Sequence, residues 1–140
     1  MMCSGSEHRL RVIGRVRSPL VDLADAPKQG DEGGPIASLV FATEFADGLR
    51  DLRVGESILL FTWLDRASRD VLTLHPRDDP TRERTGVFST RSPDRPNPIG
   101  LHRVTIVAID GPTVTVSDLE AVDGTPIIDV KPVLGPMDER

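Results

Sequence analysis

Short apolar segments separated by tight turns constrain the fold of this chain more than any other feature of its sequence. In the last third, two Asp-Gly pairs at 110–111 and 123–124 lie between segments in which apolar and polar residues alternate. Because Asp-Gly in this setting favours the tight turns of hairpins, the pattern predicts two successive hairpins. Strands are predicted over residues 9–18, 36–42, 56–64, 71–74, 86–91, 101–109, 113–119 and 127–130.

The first predicted strand carries a regular alternation of apolar and basic residues. Leu10, Val12 and Val16 share one face, which we expect to be buried. The opposite face carries Arg9, Arg11, Arg15 and Arg17. That basic face is either a solvated strand surface or, together with the arginines at 91 and 95, a surface for RNA.

The number and type of elements predict the fold class. Phe45, Leu49 and Leu52 repeat at helical spacing, which predicts one short amphipathic helix over residues 43–52. About seven short strands with one helix favour a mainly β fold, namely a small closed antiparallel β-barrel. The 140 residues fit a single domain, with its core over about residues 9–134.

Composition and missing motifs exclude several functional classes. The formal net charge of −5 argues against a general nucleic-acid-binding protein, and the single cysteine cannot form an internal disulfide. No metal-ligand spacing, Rossmann glycine pattern, phosphate-binding loop or hydrolase elbow occurs in the sequence. No apolar run approaches the roughly 20 residues of a membrane helix, and the first ten residues lack the apolar core of a signal peptide. We therefore expect a soluble, cytoplasmic protein without a bound metal.

The segment from Gly86 to Gly100, GVFSTRSPDRPNPIG, is unusually restrained. Its prolines fix their own φ angles and bias the preceding residues toward extended geometry, so the loop has little conformational entropy to lose on binding. We expect its first six residues to be a strand that delivers Arg91 to a rigid loop, which presents Arg95 and Asn97 as hydrogen-bond donors. The alternative is an exposed connector in which Asp94 pairs locally with an arginine.

This segment also carries a family resemblance. GVFSTRSPDRPNPIGL, followed by LEAVDGTPIIDVKP, closely resembles the TsaA-like family, which includes the TrmO S-adenosylmethionine-dependent tRNA methyltransferases. IGRVRSP and PKQ nearer the N-terminus add weaker support, and the similarity covers about residues 12–134. The resemblance implies a small β-barrel that works as a homodimer and binds S-adenosylmethionine beside the subunit interface. It further implies methylation of N6 of the threonylcarbamoyl-adenosine at position 37 of tRNA.

The resemblance implies a set of cofactor-binding and motif residues. Those that match the family's cofactor site are Gln29, Gly30, Asp31, Glu32, Asp65, Arg66, Arg91, Leu101, Ser117, Asp118, Leu119 and Glu120. The remaining matches, assigned to substrate or to the loops, are Arg95, Asn97, Asp123, Thr125 and Lys131. The first four residues of the cofactor set fall in a long Gly-, Pro- and acid-rich loop predicted over residues 22–35, which is either disordered or a lid over the site.

The chemistry of methyl transfer makes these residue types reasonable. Transfer from a sulfonium is an in-line displacement that needs alignment in a dry pocket and no metal. An exocyclic adenine N6 needs a group that accepts its proton, for which the candidates are Asp65, Glu120 and Asp129. Arg91 and Arg95 suit bidentate contacts to a carboxylate or a phosphate. For the DGTP segment, a turn closed by the Asp123 side chain is an alternative to ligand contact.

Two departures from the family leave the substrate open. The bacterial tRNA enzymes continue into a C-terminal domain implicated in tRNA handling, whereas this chain ends soon after the barrel motif, so a short form is expected. Asp65 stands where the family has a histidine. The alternatives to a tRNA methyltransferase are a methyltransferase for another acceptor and a non-catalytic module that binds S-adenosylmethionine or RNA.

Overall fold

The computed structural model describes residues 7–19 and 36–135. Within them, every regular strand is short except the sixth. The strands are β1 (Gly14–Arg17), β2 (Ala37–Phe41), β3 (Ser57–Trp63), β4 (Thr73–Leu74), β5 (Thr85–Gly86), β6 (Ile99–Asp110), β7 (Thr113–Ser117) and β8 (Pro126–Pro132). Three 3₁₀ helices lie between them, at Thr43–Leu49, Pro76–Asp78 and Val87–Ser89.

Six of these strands form one antiparallel sheet in the order β1-β2-β7-β6-β3-β8. β1 pairs with β2 on one side and with β8 on the other, where Gly14 faces Ile127 and Arg15 faces Pro126. The pairing therefore returns to the strand where it began. The prediction of a mainly β fold with little helix is confirmed, although the sheet has six strands and the remaining two form a separate ribbon, β4-β5.

The core lies inside this ring of strands. Because successive side chains of a strand point to opposite faces, β3 and β6 bury every second residue. The alternate side chains of β3, on its outer face, are half-buried. The buried apolar cluster comprises Val16, Ala37, Leu39, Phe41, Ile58, Leu60, Val104, Ile106, Val114, Val116, Leu119, Ala121 and Ile127.

One of the two predicted hairpins is present. β6 and β7 pair around Asp110 and Gly111, and Gly111 has the positive φ of 57° that such a turn needs. The second predicted hairpin is wrong, because β8 pairs with β1 and β3 rather than with β7. The turn at Gly124 bonds to β1 instead: its N–H donates to the carbonyl of Val16, and the Thr125 carbonyl accepts from the Val16 N–H.

The predicted alternation of the first strand is only partly correct. Pairing with β2 begins at Gly14, so the strand is shorter than the expected 9–18. Leu10 and Val12 precede it and are exposed at 56% and 44%. Val16 is buried as expected, and Ile13 packs against the core. A Cβ at Gly14 would lie 2.6 Å from the Val40 carbonyl oxygen, which shows how closely β1 and β2 approach.

The predicted α-helix over 43–52 is a 3₁₀ helix at Thr43–Leu49. The N–H of Phe45 donates to the Ala42 carbonyl three residues earlier, which is the 3₁₀ pattern. The N-cap residue of this helix, Ala42, supplies no side-chain hydrogen bond. Two of the three apolar residues on which the helix prediction rested, Leu49 and Leu52, do pack against the core.

The predicted strand over 86–91 is also wrong. Only its first residue, Gly86, belongs to a strand, β5 (Thr85–Gly86), and the chain then turns through the 3₁₀ helix Val87–Ser89. The carbonyl of Val87 accepts from the Thr90 N–H and from the Arg95 guanidinium, and these bonds fold the segment back on itself.

The β4-β5 ribbon that precedes this segment has an exposed turn between its two strands. There, hydrogen bonds from the Thr81 hydroxyl and then from the Thr81 N–H lower the pKa of Asp79.

Candidate functional site

The proline-rich segment is held in shape by Arg95. Its guanidinium donates to three main-chain carbonyls of the same segment, at 2.7 Å to Val87, 3.1 Å to Thr90 and 3.0 Å to Ser92. The Arg95 side chain is half-buried. The sequence predicts a donor presented to a ligand, whereas the structure places most of its hydrogen bonding inside the loop.

Main-chain contacts dock this segment against the turn that follows β3. The Ser68 N–H donates to the Asp94 carboxylate at 2.9 Å, and the Arg95 N–H donates to the Ser68 carbonyl at 3.0 Å. The Leu64 N–H donates to the Pro98 carbonyl at 2.8 Å. The connector alternative supposed that Asp94 pairs locally with an arginine, whereas its carboxylate accepts from the main chain of a turn 26 residues earlier.

Arg69 adds further contacts between the turn after β3 and the proline-rich segment, and we call these contacts together the clamp. No motif in the sequence indicated this arginine. Its guanidinium donates to the Pro96 carbonyl at 2.7 Å and to the Asn97 amide oxygen at 3.1 Å. The same group lies 5.2 Å from the ring centroid of Trp63, within cation–π range. Asn97 is therefore an acceptor within the clamp through its oxygen, where we had expected a donor.

The clamp brings two predicted cofactor segments side by side. Asp65 and Arg66 lie in the turn between Leu64 and Ser68, and their side chains are exposed. Arg91 lies at the start of the docked loop and is also exposed. In contrast with Arg95, whose donors point into its own loop, Arg91 has the exposure that contact with an external anion requires.

A buried polar pair lies inside the ring of strands at the same end. The hydroxyl oxygen of Thr62 is 2.8 Å from Nε2 of His102, which is 8% exposed. Both side chains point inward from neighbouring strands, because Thr62 faces Gly100 and Leu60 faces His102 in the register of β3 and β6. The absence of a side chain at Gly100 makes room for the pair, since a Cβ there would lie 2.9 Å from Nε2 of His102 and closer still to the Thr62 hydroxyl.

The other ring nitrogen of His102 faces a predicted site residue. Nδ1 lies 3.4 Å from Oε1 of Glu120, whose side chain is 25% exposed, and it has no hydrogen-bond partner among the described residues. No motif in the sequence indicated this histidine. An available signal was its position on β6, two residues after Gly100 and two before Val104, on the face that the alternation buries.

The three carboxylates predicted as proton acceptors occupy different surroundings. Asp65 is exposed on the turn after β3. Asp129 is exposed on β8, where its carboxylate lies 3.4 Å from the ammonium of Lys131. Glu120 alone of the three is partly buried and adjoins a buried polar group.

The segment around Glu120 leaves β7 sharply. Asp118 has a φ of +65°, an uncommon value for a residue with a side chain, and the Ser117 hydroxyl lies 3.5 Å from its carboxylate. The Leu119 side chain is fully buried in the core, so only its main chain can face a ligand. Glu120, two residues after Asp118, lies beside His102 of β6.

Leu101 lies on the opposite, outward face of β6. It is 43% exposed and faces Phe61 of β3, which in turn faces Asp129 of β8. Ile99 is 42% exposed on the same outer face, opposite the half-buried Trp63. The structure therefore does not bring Leu101 together with Glu120 on one face of the protomer.

The DGTP segment works as a turn that ties β8 to β1. The Asp123 carboxylate accepts from the Ser18 N–H at 3.0 Å, and the buried Thr125 hydroxyl donates to the Val122 carbonyl at 2.7 Å. These bonds support the turn interpretation of this motif, although Asp123 bonds to the end of β1 rather than closing its own turn.

Two cavities lie away from the predicted cofactor residues. One, of about 480 Å³, is bordered by β1, β2 and Gly124, and the other, of about 290 Å³, lies between the 3₁₀ helix after β2 and strands β3 and β8. The docked loop and Glu120 border neither cavity. Gln29, Gly30, Asp31 and Glu32, together with the predicted loop over 22–35, lie outside the described residues.

Residues 7–19 and 36–135 contain no group of three or more histidine, cysteine or acidic side chains placed to hold a metal ion. No helix among them has the length and hydropathy to cross a membrane.

Comparison with known proteins decides the family. Residues 15–139 match the model of the tRNA-methyltransferase O N-terminal domain. The chain belongs to this family. Solved TrmO structures from Pseudomonas aeruginosa share the fold: one aligns with a TM-score of 0.76 at 25% identity over 96% of this chain, and another with a TM-score of 0.72 at 26% identity over 91%.

Curated relatives of this TrmO-family chain carry names that refer to a cofactor. An S-adenosyl-L-methionine-binding protein of Archaeoglobus fulgidus is 43% identical over 122 residues, which are 87% of this chain and 86% of the relative. A probable S-adenosyl-L-methionine-binding protein of the same organism is 42% identical over 130 residues. This chain spans 35% of that longer relative, and 55% and 59% of the two Pseudomonas chains.

Proposed function

We propose that this protein binds S-adenosylmethionine and transfers its methyl group to an acceptor. The match of residues 15–139 to the tRNA-methyltransferase O N-terminal domain carries the proposal. The naming of close relatives as S-adenosyl-L-methionine-binding proteins supports the cofactor.

The described residues suit this cofactor. Arg91 is exposed, and its guanidinium has the fork geometry for bidentate contact with the methionyl carboxylate. The loop that carries it is held in shape by hydrogen bonds from Arg95. Glu120 and Asp65 offer carboxylates to the amino group or to the positive charge near the sulfonium. Asp65 in place of the family histidine adds negative charge there, which favours a cationic ligand.

The acceptor that we propose is N6 of threonylcarbamoyl-adenosine at position 37 of tRNA. S-adenosylmethionine supplies an electrophilic methyl group. As the bond from nitrogen to methyl forms, the bond from sulfur to methyl breaks, and the proton on nitrogen passes to a carboxylate. Glu120 is the proton acceptor that its surroundings favour. Its side chain is partly buried beside His102 and therefore restrained, whereas Asp65 and Asp129 are exposed. A tRNA acceptor also implies a cytoplasmic protein.

A binding module without catalysis is the second candidate. The relative of matching length from Archaeoglobus fulgidus is named for binding S-adenosyl-L-methionine and not for a transfer reaction. A methyltransferase for another acceptor is the third, because the match to the TrmO N-terminal domain supports methyl transfer more directly than it supports a particular acceptor.

We also propose that the closed ring of six strands is the family's β-barrel and that two copies associate. The outer face of β3 and β6 presents Ile99 and Leu101 at 42% and 43% exposure beside the half-buried Phe61 and Trp63. A second copy on this face would remove apolar surface from water. It would also account for Leu101, a predicted cofactor residue on a face that Glu120 does not share, if the cofactor lies beside the interface.

The test of function uses the purified protein in two assays. Calorimetric titration with S-adenosylmethionine and with its demethylated product measures binding, and transfer of labelled methyl to tRNA that contains threonylcarbamoyl-adenosine measures catalysis. Binding with transfer supports the tRNA methyltransferase. Binding without transfer to this tRNA leaves the other two candidates, which a screen of other acceptors separates.

A further inference from the structure

The function described so far assigns no role to Thr62 and treats His102 only as a neighbour of Glu120. Both side chains are buried, and their contact of 2.8 Å satisfies only one of the two nitrogens of the imidazole. Nδ1 is buried without a hydrogen-bond partner among residues 7–19 and 36–135. A buried polar atom in this state costs free energy, and Oε1 of Glu120 lies 3.4 Å from it.

The chemistry of the neighbours determines which nitrogen must carry a proton. An ionised carboxylate only accepts hydrogen bonds, so Nδ1 has to donate if it is to interact favourably with Glu120. The Thr62 hydroxyl can donate or accept, and therefore adapts to Nε2 in either protonation state of the ring. Thr62 thus allows the Nδ1–H form that Glu120 requires.

We propose that His102 is a positioning residue that orients the Glu120 carboxylate toward the bound S-adenosylmethionine, with Thr62 holding the imidazole from behind. The separation of 3.4 Å shortens to a hydrogen bond when the ligand is bound, as polar contacts at such sites commonly tighten in the complex. His102 itself does not contact the ligand. The inference rests on the proposed function, because it assigns Glu120 to the same cofactor site.

Gly100 is a required part of this arrangement. Its missing side chain lets the Thr62 hydroxyl and the His102 ring meet across β3 and β6, since a Cβ would collide with both. The positioning device therefore links the family motif segment that contains Gly100 to the segment that contains Glu120, which lies 20 residues later in the chain.

The protonation of His102 can be tested in the free protein. Long-range ¹H–¹⁵N correlation spectra assign the state of each ring nitrogen, and we expect a proton on Nδ1, either as the neutral Nδ1–H tautomer or as the imidazolium. A neutral ring with its proton on Nε2 and a bare Nδ1 would overturn the positioning role. This measurement requires no cofactor and is therefore independent of whether the proposed function holds.

The effect on the ligand is tested by a double-mutant cycle with S-adenosylmethionine as the titrant. His102→Gln places its amide near the Nε2 position and removes the donor toward Glu120, so we expect Kd to rise about tenfold, as for the loss of a hydrogen bond to a charged group. His102→Asn keeps an amide donor near the Nδ1 position and should recover most of the affinity. In a Glu120→Gln background, His102→Gln should change Kd by less than about twofold.

The outcomes of the cycle separate positioning from packing. If the losses from His102→Gln and Glu120→Gln multiply in the double variant, His102 acts only through the packing of the core and the proposal is wrong. If wild-type protein with a protonated Nδ1 binds no S-adenosylmethionine, the proposed function fails and the ligand-orienting role fails with it, while the contact between His102 and Glu120 remains a structural one.

Discussion

The hydroxyl oxygen of Thr62 lies 2.8 Å from Nε2 of His102, inside the ring of strands and beside a residue with no side chain. This relationship joins β3 to β6 at the end of the sheet where the proline-rich loop is docked. It places a polar pair within a largely apolar interior, next to the carboxylate of Glu120. At this end of the fold, the interior is therefore filled by polar residues next to the candidate site as well as by apolar side chains.

Gly100→Ala should destabilise the fold. The new methyl group would collide with the Thr62 hydroxyl and the His102 ring, and overpacking of this kind costs about 1–3 kcal/mol of unfolding free energy. Urea unfolding of the variant and the wild type measures the difference. Gly48→Ala is the control, because a Cβ at Gly48 meets nothing within 4 Å, and it should be close to neutral. Equal stability of both variants would contradict the close approach at Gly100.

Arg69→Gln should loosen the docked loop and alter the fluorescence of Trp63, the single tryptophan of the chain. The substitution removes the cation over the ring and weakens the bonds to Pro96 and Asn97. We expect a shift of the emission spectrum and faster proteolysis near residues 91–98. Arg50→Gln, at an exposed position away from the tryptophan, is the control. An unchanged spectrum in the Arg69 variant would argue against the clamp.

Arg95→Ala should weaken cofactor binding without direct contact to the ligand. The substitution leaves three main-chain carbonyls without the guanidinium that they share, which should cost about 1–3 kcal/mol of stability. Thermal unfolding and titration with S-adenosylmethionine together provide the test. We expect both stability and affinity to fall, whereas a loss of affinity at unchanged stability would indicate that Arg95 contacts the ligand.

Arg91→Ala should weaken cofactor binding without destabilising the fold. Arg91 is exposed, so its removal should leave the free energy of unfolding within about 0.5 kcal/mol of wild type. The affinity for S-adenosylmethionine should fall about tenfold or more if the guanidinium binds the methionyl carboxylate. Arg91→Lys should recover only part of the affinity, because an ammonium lacks the bidentate fork. Wild-type affinity in a folded Arg91→Ala variant would exclude this assignment.

Leu101→Glu should convert a dimer into a monomer. The charge would lie on the outer face of β3 and β6, beside Phe61, where we propose that a second copy packs. Light scattering gives the mass of each protein, and Val54→Glu is the control because Val54 is an exposed apolar residue outside the strands. A monomeric wild-type protein, or a dimeric Leu101 variant, would count against this interface.

Local sequence patterns predicted where the strands lie better than they predicted which strands pair with one another. Asp110-Gly111 between alternating segments correctly predicted the hairpin of β6 and β7, because both strands and the turn are encoded within a few residues. The turn at Gly124 has the same local chemistry, yet its N–H bonds to Val16, more than a hundred residues earlier. Such a pairing depends on closing the sheet, and no local pattern records it.

The same distinction between local patterns and long-range contacts applies to the candidate site. Glu120 could be predicted from the family motif, but its neighbour His102 could not, because their contact depends on the path of the chain after β7. Arg95 was predicted as a ligand contact because its residue type suits anions. Its bonds to Val87 and other loop carbonyls arise only once the segment has folded back, which the prediction of a strand there had excluded.

The most direct test of the account is the calorimetric titration of the wild-type protein with S-adenosylmethionine. We expect saturable binding at micromolar or lower Kd, with a stoichiometry of one cofactor per chain. A folded protein that shows no heat of binding and no thermal stabilisation at millimolar S-adenosylmethionine would contradict the proposed function, and the docked loop would then be a structural connector on a family fold that has lost its cofactor.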